Sequence, residues 1–304
     1  MCPGGETHAQ KIGKLMRFVT FKTRTNARPS LAVRTPEGLR ALNGFDAPRV
    51  PQCLQTLLAL GPSAMREAAA VIAQLGEPVD MDQIVYLSPI LAPAKIICVG
   101  LNYLDHTKES NFEQPAYPTL FLRVASSFVG HDDALIRPRC SEQFDYEGEL
   151  VAFIGKAGKH IPKSAALDHV AGYSVSNEGS VRDYQFKSPQ WTVGKNFDRS
   201  GSIGPEFVSA DEVPLGGAGL RIETRLNGKT VQSSNTSDMV FDTATVISLV
   251  SEAMSLAPGD TILMGTPAGV GLARKPPLYM KPGDIAEVEV EGVGLLRNAV
   301  ADEE

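Results

Sequence analysis

Apolar and polar positions divide the chain into a short front part and a longer, strand-rich part. Residues 17–23 (RFVTFKT) and 30–35 are short apolar-rich runs on either side of a polar turn, which predicts two short strands. Residues 62–75 (PSAMREAAAVIAQL) carry apolar positions at helical spacing behind a proline in the first turn, which predicts a helix. Residues 84–93 (IVYLSPILAP) are apolar and proline-punctuated and read as a connector. Beyond Ala94 the runs 95–99, 150–154 and 171–175 are predominantly apolar and predict strands, and LVAFI at 150–154 is continuously so, as a well-buried strand would be. Asn227-Gly228 and Gly292-Val293 each sit between two strand-like segments, 220–226 with 230–234 and 285–291 with 294–299, and so predict hairpins. Residues 242–256 place Val246, Ile247, Val250 and Met254 at helical spacing behind an Asp242 cap, and Pro258-Gly259-Asp260 turns the chain into a strand at 261–264. The expected fold is α+β and mostly β, with a small N-terminal α+β domain over residues 1–93 and the main domain over 94–304.

Composition narrows the class of partner. The 304 residues carry a formal charge of −6, which disfavours nucleic acid and anionic membrane surfaces and points to a small-molecule ligand. No apolar run approaches the roughly 18 residues of a membrane span. Cys2, Cys53, Cys98 and Cys140 are scattered without metal or disulfide spacing, and the first residues lack the apolar core of a secretory signal. Free thiols and a cytoplasmic location are the expectation.

Three clusters carry candidate chemistry. In DYEGELVAFIG, residues 145–155, Glu147 and Glu149 stand two apart at the start of an apolar strand and so share a face, an arrangement that is either a cation clamp or a solvated edge. In NEGSVRDYQ, residues 177–185, Glu178, Arg182 and Gln185 follow a strand, where a loop can present functional groups or simply turn. In GLNYLDHTKES, residues 100–110, His106 and Glu109 are spaced to meet on one helical turn, either as a base with its orienting acid or as a surface ion pair. TVGKNFD adds Lys195, and MGTPAGVG adds a glycine-rich loop with Thr266.

Taken in order, VGLNYLDHTKE, DYEGELVAFIGK, VAGYSVSNEGSVRDYQ, GKNFD and LMGTPAGVG resemble the fumarylacetoacetate hydrolase family, in the branch of acylpyruvate hydrolases and oxaloacetate decarboxylases. The resemblance runs from about Ile96 to Val300. It implies a mixed β-roll main domain behind a smaller N-terminal domain, and a homodimer. It also implies one Mg²⁺ or Mn²⁺ ion held by Glu147, Glu149 and Glu178. His106 and Glu109 would be the catalytic pair on a lid segment, with Lys195 beside them, and Arg182, Gln185, Lys195 and Thr266 would contact the substrate. At one position the chain departs from the family pattern, which has aspartate where Glu178 stands; the extra methylene moves the carboxylate about 1.5 Å outward.

The implied reaction is hydrolysis of a C–C bond in a 2,4-dioxo acid, passing through an enolate that the metal stabilises. His106 would activate the water. Decarboxylation of a 2-oxo acid such as oxaloacetate and keto–enol isomerisation use the same electron sink, and a repurposed, non-catalytic member of the family is the remaining alternative. Leu104, Phe112, Phe186 and Trp191 are candidates for shaping the pocket around the substrate's distal group.

Overall fold

The computed structural model describes residues 16–44, 46–109 and 113–304. Cys2, the N-terminal segment and Phe112 lie outside the described residues. The architecture is α+β and mostly β. Its centre is the strand Gly148–Ile154, every residue of which is buried. Leu150, Ala152 and Ile154 face one core with Val175, Ile222, Val246, Ile247 and Val288. Val151 and Phe153 face the other with Leu57, Leu58, Met65, Ile72 and Phe207. Burial on both faces is the physical reason that residues 150–154 of this strand are uninterruptedly apolar.

On one side this strand pairs antiparallel with Val170–Asn177, which in turn pairs with Gly201–Ser209. On the other it pairs antiparallel with Thr261–Leu263, which runs parallel to Ile96–Gly100. The edge beyond is Thr119–Arg123. Arg17–Thr23 pairs with Gly201–Ser209 and with Asn26–Thr35, so the N-terminal strands extend the same sheet. The helices Leu54–Leu60 and Pro62–Leu75 cover that end of its face.

A second sheet of five strands contains both expected hairpins, Arg221–Leu226 with Lys229–Asn235 and Ile285–Val290 with Gly294–Asp302. At the first turn Asn227 and Gly228 have φ of 54° and 75°, the positive values that this dipeptide tolerates. The helix Thr243–Ala253 packs Val246, Ile247 and Val250 against the core between the sheets, and the Asp242 carboxylate accepts from Thr245 N at 2.7 Å. One strand, Ile84–Tyr86, lies inside the segment read as a connector and pairs with Arg17–Thr23. Its three residues are too few to display an alternation.

Cys53 and Cys140 are exposed free thiols and Cys98 is a buried one. Among the described residues no helix is long and apolar enough to cross a membrane.

Candidate active site and metal centre

Topology brings four chain segments to one end of the large sheet. The parallel strands Ile96–Gly100 and Thr261–Leu263 finish where the antiparallel strand Gly148–Ile154 begins. Val170–Asn177 ends at the same place, because Gly148 pairs with Asn177. The next opposed residues are Glu147 and Glu178, and Glu178 N donates to Glu147 O at 2.8 Å. Glu149 lies on the same strand, opposite Ser176. One carboxylate oxygen from each of the three glutamates lies within 4.8 Å of the others, and all three side chains are buried.

Three buried cations surround them. Lys195 Nζ lies 2.8 Å from both Glu147 Oε2 and Glu178 Oε2. Arg182 Nη1 is 2.6 Å from Glu147 Oε1, and Arg182 Nε donates to Asp145 Oδ2 at 2.8 Å. Arg123 Nη1 is 4.0 Å from Glu178 Oε1. The glutamates respond differently because these cations are unevenly shared. Burial alone would raise the Glu147 carboxyl, but Lys195 and Arg182 together outweigh it and hold it far below the usual range. Glu178 is raised, because burial prevails over Lys195 and the more distant Arg123. Glu149 is pushed well up, first by burial and then by the charges of Glu178 and Glu147. The charge of Lys195 and then Gly265 N, which donates to Glu149 Oε2 at 2.7 Å, offset only part of this.

Three buried side-chain atoms in this cluster have no hydrogen-bond partner, among them Asn177 Nδ2. The two on charged groups are the carboxylate oxygen Glu178 Oε1 and the guanidinium nitrogen Arg182 Nη2. A buried polar group without a partner is costly. A divalent cation would satisfy the first and a ligand carboxylate the second. The donor set is all oxygen and its carboxylates repel one another, which suits a hard ion such as Mg²⁺ or Mn²⁺.

A pH dependence follows from Glu149. A divalent ion held here would bind the deprotonated carboxylate, so a proton on this raised group would compete with it. Mn²⁺ affinity, measured by calorimetric titration from about pH 8 down to about pH 5, is expected to weaken as pH falls; a flat profile would exclude Glu149 as a ligand.

The glutamates, His106, Arg182, Gln185, Lys195 and Thr266 all line one cavity of about 260 Å³. The helix Leu104–Glu109 places His106 Nδ1 3.0 Å from Glu109 Oε1, the i, i+3 pairing expected from the sequence. Glu109 is itself fixed to the glycine-rich loop, where Gly269 N donates to both of its oxygens at 2.9 Å. With Nδ1 so engaged, Nε2 is the imidazole nitrogen left to act on a ligand.

Gln185 Oε1 accepts from Arg182 Nη1 at 2.9 Å. Thr266 Oγ1 donates to Gly148 O at 3.0 Å and accepts from Gln232 Nε2 at 2.8 Å, so its hydroxyl braces the strand that carries the glutamates. Phe186 and Trp191 also line the cavity, whereas Leu104 is 45% exposed and lies outside its lining.

Sequence reasoning missed Arg123, Asp145 and Gln232. Arg123 donates to Gly179 O and Ser200 Oγ, and so ties the segment that bears Glu178 to the neighbouring loop. Asp145 accepts from Arg182, Gly271 N and Leu272 N. Gln232 Oε1 accepts from Gly148 N at 3.0 Å. Arg123 and Gln232 stand in no spacing that signals a ligand, whereas Asp145 continues the two-residue spacing of Glu147 and Glu149 and was passed over within the same motif.

Comparison with known proteins agrees with this geometry. Residues 95–301 match the family model described as fumarylacetoacetate (FAA) hydrolase, C-terminal. The chain belongs to the fumarylacetoacetate hydrolase family. A curated relative is the mitochondrial oxaloacetate tautomerase of Homo sapiens, 40% identical over 289 residues, which span 94% of this chain and 91% of that protein. Among solved structures, a fumarylacetoacetate hydrolase from Exiguobacterium antarcticum is 34% identical with a TM-score of 0.82. A protein from Mycobacterium smegmatis described as a putative HpcE is 31% identical with a TM-score of 0.84. Each comparison covers 95% of this chain and 100% of the other. Other structures of this fold are titled as a hydroxyheptadienedioate isomerase and a maleylpyruvate hydrolase. The family relatives are thus enzymes that include hydrolases, isomerases and tautomerases. The expected cytoplasmic location is corrected by the same comparisons: the curated oxaloacetate tautomerases from human and cattle are mitochondrial by name. Composition of the first residues was an insufficient guide to compartment.

Proposed function

We propose that this protein is a divalent-metal-dependent tautomerase that interconverts the keto and enol forms of a small 2-oxo acid of the oxaloacetate type. The observation that carries the reading is the pairing, in one small cavity, of an unpartnered carboxylate oxygen on Glu178 with an unpartnered guanidinium nitrogen on Arg182, next to the His106–Glu109 pair. Near full-length similarity to an oxaloacetate tautomerase supports it, and a cavity below the roughly 300–1,000 Å³ usual for drug-sized ligands favours a short acid.

Arg182 and Lys195 would receive the substrate carboxylate. Glu147, Glu149 and Glu178 would hold the ion, which supplies Lewis acidity at the ketone oxygen when bound. His106 Nε2 would take a proton from the carbon beside the ketone; the C–H electron pair becomes the new C=C bond, and the carbonyl pair moves onto oxygen. Return of a proton to that oxygen completes the enol, and the reverse sequence regenerates the ketone. Glu109 would keep the imidazole oriented and stabilise its charged form.

Hydrolysis of a 2,4-dioxo acid is the second reading, because the same imidazole could deprotonate a water, and the hydrolase-titled structures of this fold favour it. Product analysis separates the chemistries. Oxaloacetate supplied as its enol should lose the enol absorbance at an enzyme-dependent rate with no change in mass. Release of CO₂ would signal decarboxylation, and two acids from an acylpyruvate would signal hydrolysis; either at full rate without enol conversion would sink the tautomerase reading. The homodimer implied by the resemblance belongs to the same proposal, and light scattering should give twice the chain mass.

A further inference from the structure

Trp191 forms an apolar wall of the same cavity. The helical turn Thr192–Lys195 starts directly after it and ends on Lys195, so the wall and the cation that holds the glutamates are fixed to one short element. The indole packs so closely over Gly100 that a Cβ at that position would lie 2.6 Å from Trp191 Cζ3 and 3.2 Å from Cη2. Gly100 does not have a positive φ, so glycine at this position serves the approach of the indole rather than a turn. Phe121 meets the indole edge-on, with centroids 5.6 Å apart and planes at 69°. Lys195 Nζ lies 5.1 Å from the Phe121 centroid, so this ring joins the charged end of the cavity to its apolar end.

We infer that Trp191, seated on Gly100 and braced by Phe121, is a specificity-determining residue that limits the length of the substrate's distal end. The inference rests on the 2-oxo acid reading. With a carboxylate placed at Lys195 and Arg182, the rest of a bound acid extends within a cavity that Trp191 helps to close. A rigid two-ring side chain, stacked on backbone with no Cβ in between, cannot retreat toward Gly100 to admit a longer tail.

The test measures binding of straight-chain 2-oxo monocarboxylic acids, from pyruvate upward in length, by calorimetry with Mg²⁺ present. It uses the parent protein, Trp191→Ala and Trp191→Phe, with a melting curve for each. Affinity in the parent should fall once the tail reaches the indole. Trp191→Ala should move that fall to longer acids, with a gain of about tenfold or more for the first acid the parent rejects, and Trp191→Phe should lie between. If Trp191→Ala fails to fold, Trp191→Phe carries the comparison. The same length profile in every protein overturns the inference and leaves the 2-oxo acid reading standing. If the parent binds no 2-oxo acid, that reading falls and the length limit falls with it.

Discussion

Replacing His106 with alanine is expected to lower turnover by about 10²- to 10⁴-fold, the range for loss of a positioned general base. Mn²⁺ binding should stay unchanged. The two effects separate because the imidazole is carried by the Leu104–Glu109 helix, whereas the carboxylates are carried by the ends of two sheet strands. Glu109→Gln should give a smaller loss, on the order of tenfold to a hundredfold, since the imidazole remains but its orienting charge is gone. That variant also weakens the link to the glycine-rich loop, where Gly269 N now donates to both carboxylate oxygens. Initial rates of enol loss and a calorimetric Mn²⁺ titration on the same preparations test both statements. A His106→Ala protein that turns over at the parental rate would remove His106 from the mechanism.

Lys195→Met should affect stability as strongly as His106→Ala affects rate, and in a way that metal reverses. Without metal, Lys195 is the shared partner of Glu147 and Glu178, and its own ammonium is favoured by both of them despite burial. Removing one member of such a buried group leaves uncompensated charge and costs about 3–5 kcal/mol. For a chain of this size that corresponds to a fall in Tm on the order of 10 °C. Glu178 should suffer more than Glu147, because Arg182 remains 2.6 Å from Glu147 while the remaining cation near Glu178, Arg123, is 4.0 Å away. Saturating Mn²⁺ should recover most of the loss, since a divalent ion supplies the same carboxylates with positive charge. Thermal melts of parent and variant, each with and without Mn²⁺, give the comparison. An equal loss in both conditions would mean that the ion and the ammonium do not serve the same carboxylates.

Much of this site is legible in the sequence, but unequally. Spacing alone leaves Glu147 and Glu149 open between a cation clamp and a solvated edge, and it is the ordered set of family motifs that names them as ligands. The contact of His106 with Glu109 is legible because a single helical turn brings them together, and the structure gives it at 3.0 Å, whereas the role of the pair came only from the family motif. Glu178 could be named from its motif, but its position opposite Glu147 depends on the pairing of Gly148 with Asn177, and strand register is a tertiary property.

Arg123 and Gln232 stayed hidden for the same reason. Arg123 ends an edge strand, and its partners Gly179 and Ser200 are far away along the chain. Gln232 is one polar residue in a hairpin whose inward face was apparent only once that hairpin had packed on Gly148. Thr266 illustrates the converse. Its place in the cavity could be read from the glycine-rich motif, but the engagement of its hydroxyl by Gly148 and Gln232 could not.

The contact between Glu109 and Gly269 has a consequence for how such a protein can diverge. The acidic centre is written into strands whose residues are buried on both faces, where change is severely penalised. The His106 imidazole is carried by a short helix clasped to a loop, where substitution, insertion and adjustment of angle are far better tolerated. Mutation can therefore re-aim the imidazole without disturbing the carboxylates that gather positive charge. One ancestral scaffold can give rise to lineages that break, isomerise or merely re-protonate their substrates, with the innovation confined to its periphery.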